Sequence, residues 1–197
     1  MPRVVDHEER RRQIATAVSD IAATRGLSDV SFREVAALAG VSVSLVQHYF
    51  GDKANLLRTT LEIQSATMSA HIADQLAGLG TEPDPIDVLR TVARAFLPVD
   101  DVSRRSMLVY HGFAAAALTD PALRDSAMFT NGRGLIGFFA TQLAHIRTDD
   151  ARASLATAEA TGLLSLLLGL SIAVLLEQTT AAEAITVLDA HLDRLTN

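Results

Sequence analysis

Between Phe32 and Lys53 the chain reads FREVAALAGVSVSLVQHYFGDK, and the order of small, apolar and turn-forming residues leaves little freedom of fold. Val35, Ala36 and Ala39 recur at the spacing of one helix, and Val46 and Tyr49 belong to a second. Gly40 and Val41 lie between them. Gly40 is a residue free to take a positive φ without Cβ strain, as a tight turn demands. Ala36 is small, as two helices meeting closely at a steep angle require. The stretch predicts a helix-turn-helix, with Ser42 as N-cap of the second helix, which runs to about Tyr49.

The rest of the chain reads as further helix. Leu and Ala dominate, β-branched runs are few, and Pro83, Pro85, Pro98 and Pro121 fall between periodic segments. Upstream, Ile14, Ala17, Val18, Ile21 and Ala22 mark a first helix over about 7–25, stopped by Gly26. Ser31 with Glu34 is a capping box for the second helix. Asp52 caps a fourth that reaches about Leu79, and Gly80 to Pro85 is a turn. Helices then follow over roughly 85–97, 101–118, 121–147, 151–178 and 181–195. The expectation is an all-α fold of about nine helices. An N-terminal helix-turn-helix domain over 1–58 precedes a larger helical domain over 59–197.

A helix-turn-helix places its second helix in the major groove of DNA. A net charge of −6 at first argues against such a partner. Its distribution removes the objection: residues 1–60 carry eight basic and seven acidic side chains, whereas 61–197 carry nine and sixteen. The near-neutral start can approach phosphate while the acidic body faces away. Arg10, Arg11 and Arg12 are expected to add long-range attraction. The chain has no cysteine, which excludes disulfides and thiolate metal sites. The start MPRVVDHEERRR has no apolar run, so no secretory signal is read there and a cytoplasmic location is expected.

From Ala160 to Leu176 seventeen residues pass without a charge, between Glu159 and Glu177. A membrane span needs about 20 apolar residues and basic anchors. A buried helix is the expectation, with no membrane partner. Ala158, Gly162, Ser165, Gly169 and Ala173 form a stripe of small residues along it, along which another helix can approach closely.

The AGVS turn, the HYF end of the third helix and the lysine three residues beyond Phe50 together resemble the TetR-type transcriptional regulators over about residues 10–58. The segment LPVDDVSRR…HGFAAAALTDP resembles the subgroup that regulates betaine synthesis. The resemblance implies a homodimer paired through about 151–178 and 181–195, bound to a double-stranded DNA operator. It also implies a small organic effector, held in the larger domain, whose binding releases the operator. Matched onto this chain, Val43, Ser44, Leu45 and Gln47 reach base edges, and His48 and Tyr49 touch phosphate or brace the helix. Leu45 and Gln47 stand where many relatives carry a hydroxyl residue and a tyrosine, so no known operator transfers. Gln47 suits bidentate pairing with adenine, while Val43 and Leu45 read only shape or a thymine methyl. Tyr49 reads equally as a core aromatic with an exposed hydroxyl.

Lys53 is the one lysine of the chain. At the start of a helix a cation is disfavoured by about 0.3–1 kcal/mol, unless a phosphate binds there and reverses the sign. The resemblance assigns Lys53 that phosphate. Ser31, Arg33 and Ser42, also at helix starts, are further candidates for phosphate contacts.

Phe96, Met107, Tyr110, His111, Phe113, Met128, Phe129, Phe138 and Phe139 gather in the middle helices, where most must be core. Met107, Tyr110, His111 and Phe129 combine apolar bulk with polar tips, as a site for a small organic molecule requires. His111 reads as a satisfied core histidine ahead of any ligand role. Gln64, His71, Asn131 and Gln142 are secondary candidates. No spacing of ligands points to a metal, and no nucleophile–base set or phosphate loop points to an enzyme or a cofactor. The expected function is therefore DNA-binding regulation, as a ligand-released repressor, with an activator or architectural protein as the alternative.

Overall fold

A computed structural model describes residues 7–126, 129, 132–146 and 155–196 of the chain, and among these the regular structure is helical. In chain order the α-helices are α1 (His7–Arg25), α2 (Phe32–Ala39), α3 (Val43–Phe50), α4 (Lys53–Ala77), α5 (Pro85–Arg94), α6 (Asp101–Ala117), α7 (Pro121–Arg124), α8 (Gly132–Ile146), α9 (Ala156–Leu175) and α10 (Ala181–Thr196). A 3₁₀ turn, Leu27–Asp29, follows α1.

The helix starts are set by local polar chemistry. The Ser42 hydroxyl accepts from the Leu45 N–H at 3.1 Å, and the Asp52 carboxylate accepts from the Asn55 N–H at 2.8 Å. Each satisfies a donor that the first turn leaves without a helical partner. The Ser31 box forms by half: its hydroxyl accepts from the Glu34 N–H at 3.2 Å, but the Glu34 carboxylate is drawn to Arg25 at 2.7 Å. A guanidinium offers the carboxylate a charge-assisted bond that a backbone amide does not match.

The expected helix over 121–147 is broken. α7 stops at Arg124, where the Asp125 and Ser126 N–H groups donate to the Pro121 and Leu123 carbonyls at 3.0 and 3.1 Å, and the next helix described in full begins with Gly132. Asp and Ser favour such tight turns over helix interiors. The expected stretch 151–154 and the candidates Met128 and Asn131 lie outside the described residues.

The chain forms two compact units, Met1–Ala66 with Leu108–Phe129, and Thr67–Met107 with Thr130–Asn197. In the first, Ile14, Val18 and Ile21 of α1, Val35 and Ala36 of α2, and Val46 and Phe50 of α3 share one core. Leu56 and Leu61 of α4, Val109 and Phe113 of α6 and Leu123 of α7 complete it. Burying each of the larger side chains contributes about 1.5–3 kcal/mol. The Gln64 amide also belongs to this unit, donating at 2.7 Å to the buried Ser19 hydroxyl.

In the second unit Leu89, Val92 and Leu97 pack with Phe139 and Leu143 of α8, with Leu163, Leu167 and Val174 of α9, and with Leu188 and Leu192 of α10. The Asp189 carboxylate of α10 accepts from both Arg90 and Arg94 of α5, each at 3.2 Å.

The expectation of a buried α9 holds on one face only. Ala156, Ala160, Leu163, Leu167, Ser171 and Val174 are buried, whereas Ala158, Gly162, Ser165 and Gly169 of the small-residue stripe are exposed. Ile172 is 38% and Leu176 61% exposed. By length and composition alone α9 could cross a membrane.

Candidate nucleic-acid interface

Burial of Val46 and Phe50, one helical turn apart, fixes how α3 is rotated on its core. Leu45 and Tyr49 then flank the core half-buried, and Val43, Ser44, Gln47 and His48 face outward. These eight residues span about 12 Å, the width of the B-DNA major groove. The turn before α3 is built on Gly40, at φ 65° and ψ 35°. The Val41 N–H there donates back to the Ala36 carbonyl at 3.0 Å, closing α2 with a left-handed cap. Gln13 of α1 adds a tie unsignalled in the sequence, donating from its amide to the Ala39 carbonyl at 2.8 Å.

The proposed phosphate contacts sit at the helix starts around this row. Ser31 and Ser42 are exposed caps, and the Ser42 and Ser44 hydroxyls lie 2.9 Å apart. Arg33 is exposed on the first turn of α2. Lys53 is the exposed first residue of α4 and pairs with no carboxylate among the described residues. Two of the three N-terminal arginines are otherwise engaged: Arg12 pairs with Glu9 at 3.0 Å and Arg10 donates to Gln13 at 2.6 Å. Only the Arg12–Glu9 pair offsets a charge; Arg10, bonded to a neutral amide, keeps its long-range attraction.

Tyr49 is a half-buried aromatic with a polar tip. Its ring packs against the core of the first unit, and its hydroxyl lies 2.9 Å from Nδ1 of His7. His48 meets the same ring edge-on at 5.7 Å.

Three of the four candidate ligand residues are brought together in the first unit. The Tyr110 ring lies 5.4 Å from that of His111 and 5.8 Å from that of Phe129. Partial burial pushes the Tyr110 phenol up and the His111 imidazole down from their ordinary pKa values. Met107 falls in the second unit and is buried, 3% exposed.

A cavity of about 340 Å³ lies in that second unit, between α4, α5 and the start of α6. His71, Gln75, Thr91, Arg94, Asp100 and Ser103 supply its polar lining. His71 was a secondary candidate; the others were not singled out. Asp100 accepts from the Ser103 N–H at 2.7 Å and from its hydroxyl at 2.9 Å. The Ser103 backbone donor leads in holding the carboxyl below its usual range, and His71 adds to the effect. Arg94 gives one guanidinium nitrogen to Asp189, and its buried Nε has no hydrogen-bond partner among the described residues. Among the described residues no His, Cys, Asp and Glu group could hold a metal ion.

Residues 15–60 match the bacterial regulatory proteins of the tetR family, and residues 85–197 match the BetI-type transcriptional repressor, C-terminal domain. The chain belongs to the TetR family of bacterial transcriptional regulators. It is similar to the HTH-type transcriptional regulator BetI of Pseudomonas paraeruginosa (strain DSM 24068 / PA7), 31% identical over 86% of this chain and 83% of that protein. A transcriptional regulator of known structure from Rhodococcus sp. Rha1 is 26% identical, with a TM-score of 0.80 over 94% of this chain and 95% of that one. The fold also matches a transcriptional regulator from Saccharomonospora viridis solved in complex with choline, with a TM-score of 0.76, 22% identity, and 94% and 96% of the two chains covered. This TetR-family chain is thus a DNA-binding transcriptional regulator rather than an enzyme.

Proposed function

We propose that this regulator is a cytoplasmic homodimeric repressor that holds a two-fold DNA operator and leaves it when a small organic molecule binds. The observation that carries the reading is the outward row Val43, Ser44, Gln47 and His48 on α3, flanked by exposed Lys53, Arg33, Ser31 and Ser42. The row offers base-reading groups, and its flanks offer the cations and hydroxyls that fix a helix on phosphate. Leu45 and Tyr49 border the row. The functional boundary is placed at 58/59, with operator contacts before it and the effector and dimer functions after it.

Pairing through about 151–178 and 181–195 is supported by the uncovered face of α9. Ile172 of α9, Leu176 just beyond it and Val187 of α10 are 38%, 61% and 42% exposed, apolar side chains that a second copy would cover. The small-residue stripe lets a second copy of α9 come close.

Effector release is supported by two features. The rings of Tyr110, His111 and Phe129 in the first unit offer apolar bulk and polar tips. The 340 Å³ cavity of the second unit has the size of a small-ligand site, and its wall includes His71 and Gln75 of α4, the helix that begins at Lys53.

Recovery of the DNA fragments bound across the genome tests the first half, with half-sites about 10 bp or a multiple apart expected. An asymmetric site would refute the dimeric reading. Titration of the recovered operator complex with small organic molecules, choline first, tests the second half. Saturable release is expected; an activator or architectural protein would give none.

A further inference from the structure

The His7–Tyr49 contact joins residues 42 positions apart, the first of α1 and one near the end of α3. Nδ1 stands 2.9 Å from the phenol oxygen, and the ring centroids are 5.7 Å apart with a 53° tilt. His7 is exposed. The Tyr49 ring is half-buried against the core, which fixes the ring but leaves its hydroxyl free to rotate about the C–O bond. A phenol has one proton to donate and two lone pairs to accept with. When an imidazole N–H donates to the oxygen, the phenol proton must point elsewhere, and on the proposed reading of Tyr49 the acceptor it meets is a DNA phosphate.

We propose that His7 is a positioning residue of the DNA interface: by donating to the Tyr49 hydroxyl it aims the phenol proton at the operator backbone. The inference rests on the reading of Tyr49 as a phosphate contact. It makes the start of α1 part of the DNA-binding machinery through a neutral hydrogen bond rather than through charge. A hydrogen bond from a neutral donor to phosphate is sequence-independent and releases no counterion, so its loss lowers affinity without changing the salt slope.

The test uses the full chain and operator DNA at pH 8 over a range of KCl concentrations, with thermal melting of the free protein as a check on folding. Tyr49→Phe keeps the packed ring and is expected to weaken binding by about ten-fold or more for each half-site, the lower end of the scale for a hydrogen bond to a charged group. His7→Ala is expected to lose a similar factor, and the double variant no more than either single one. His7→Gln, whose amide can still donate, is expected to recover most of the affinity. All four keep the wild-type salt slope.

Loss in Tyr49→Phe with none in His7→Ala overturns the inference and leaves the Tyr49 contact standing. No loss in Tyr49→Phe overturns both. Additive losses, or a flatter slope in His7→Ala, overturn it as well, because His7 would then act on the phosphate as a cation in its own right.

Discussion

Replacing Lys53 by alanine separates a phosphate contact from a fold contact, because the two predict opposite signs in two measurements. Lys53 is exposed at the first position of α4 and pairs with no carboxylate among the described residues, so its removal breaks no visible interaction in the free protein. A cation there opposes the helix dipole by about 0.3–1 kcal/mol. The Asp52 carboxylate at the same helix start offsets part of that, so the free variant should melt at the wild-type temperature or slightly above it. On DNA the balance reverses. A dimer presents two copies of the side chain, and each neutralised phosphate contributes about 0.9 to the slope of log affinity against log salt. Losing both flattens the slope by about 1.8, so raising salt from about 50 to about 200 mM weakens the variant about 12-fold less than the wild type. Fluorescence anisotropy of a labelled operator across that range measures the slope, and a melting curve supplies the control. An unchanged slope, or weaker binding accompanied by a lower melting temperature, would refute the clamp.

Gln47→Ala should cost about 1–3 kcal/mol at one base pair and relax the preference there, read by competition with single-base operator variants. A loss spread evenly over all positions would count against direct readout. Ile172→Arg, on the uncovered side of α9, should shift the dimer towards monomer in analytical ultracentrifugation while leaving helical content intact. Glu177 holds φ at 58° where the Gln178 N–H closes α9 onto the Ala173 carbonyl at 2.9 Å, so Glu177→Gly should stabilise by about 0.5–1 kcal/mol in a denaturant titration. Burial leads in lowering the pKa of His191 on α10, Arg194 adds to it, and Glu159 opposes it. The folded protein then binds this proton less readily than the unfolded chain, so its contribution is intact above the ordinary histidine range and is lost as pH falls through it. Melting temperatures between pH 7.5 and 5 should decline less steeply in His191→Gln; an identical decline would remove His191 as a cause.

What the sequence disclosed follows the range over which each feature is decided. Gly40, Ser42 and Asp52 are set within four residues by caps and turns, and the structure places each as the local pattern requires. The outward row of α3 was nearly as legible, since burying Val46 and Phe50 leaves only one face for Gln47 and His48. The break after α7 was hidden because periodicity alone gave no reason to stop a helix at Asp125. Arg94 with Asp189 and His7 with Tyr49 are 95 and 42 positions apart, and no periodicity links residues that only tertiary packing brings together. The cavity lining was hidden for the same reason: its polar groups come from three segments, each of which reads alone as ordinary solvated helix.

α9 is the instructive case. A helix without charge over seventeen residues has no hydrophobic contrast by which to orient it, so the pattern could not say which face meets its own chain. Folding divides it: Leu163, Leu167 and Val174 go to the core, and Gly162, Ser165, Gly169 and Ile172 do not. A soluble monomer gains nothing from leaving that second face apolar, because exposed apolar area favours association over solvation. That face carries no charge: Ala158, Gly162, Gly169 and Ile172 stand among the hydroxyls of Thr161 and Ser165, which bond back to their own helix. The absence of contrast that made α9 hard to orient fits the proposed dimer, in which one face meets the chain's own helices and the other meets a second copy.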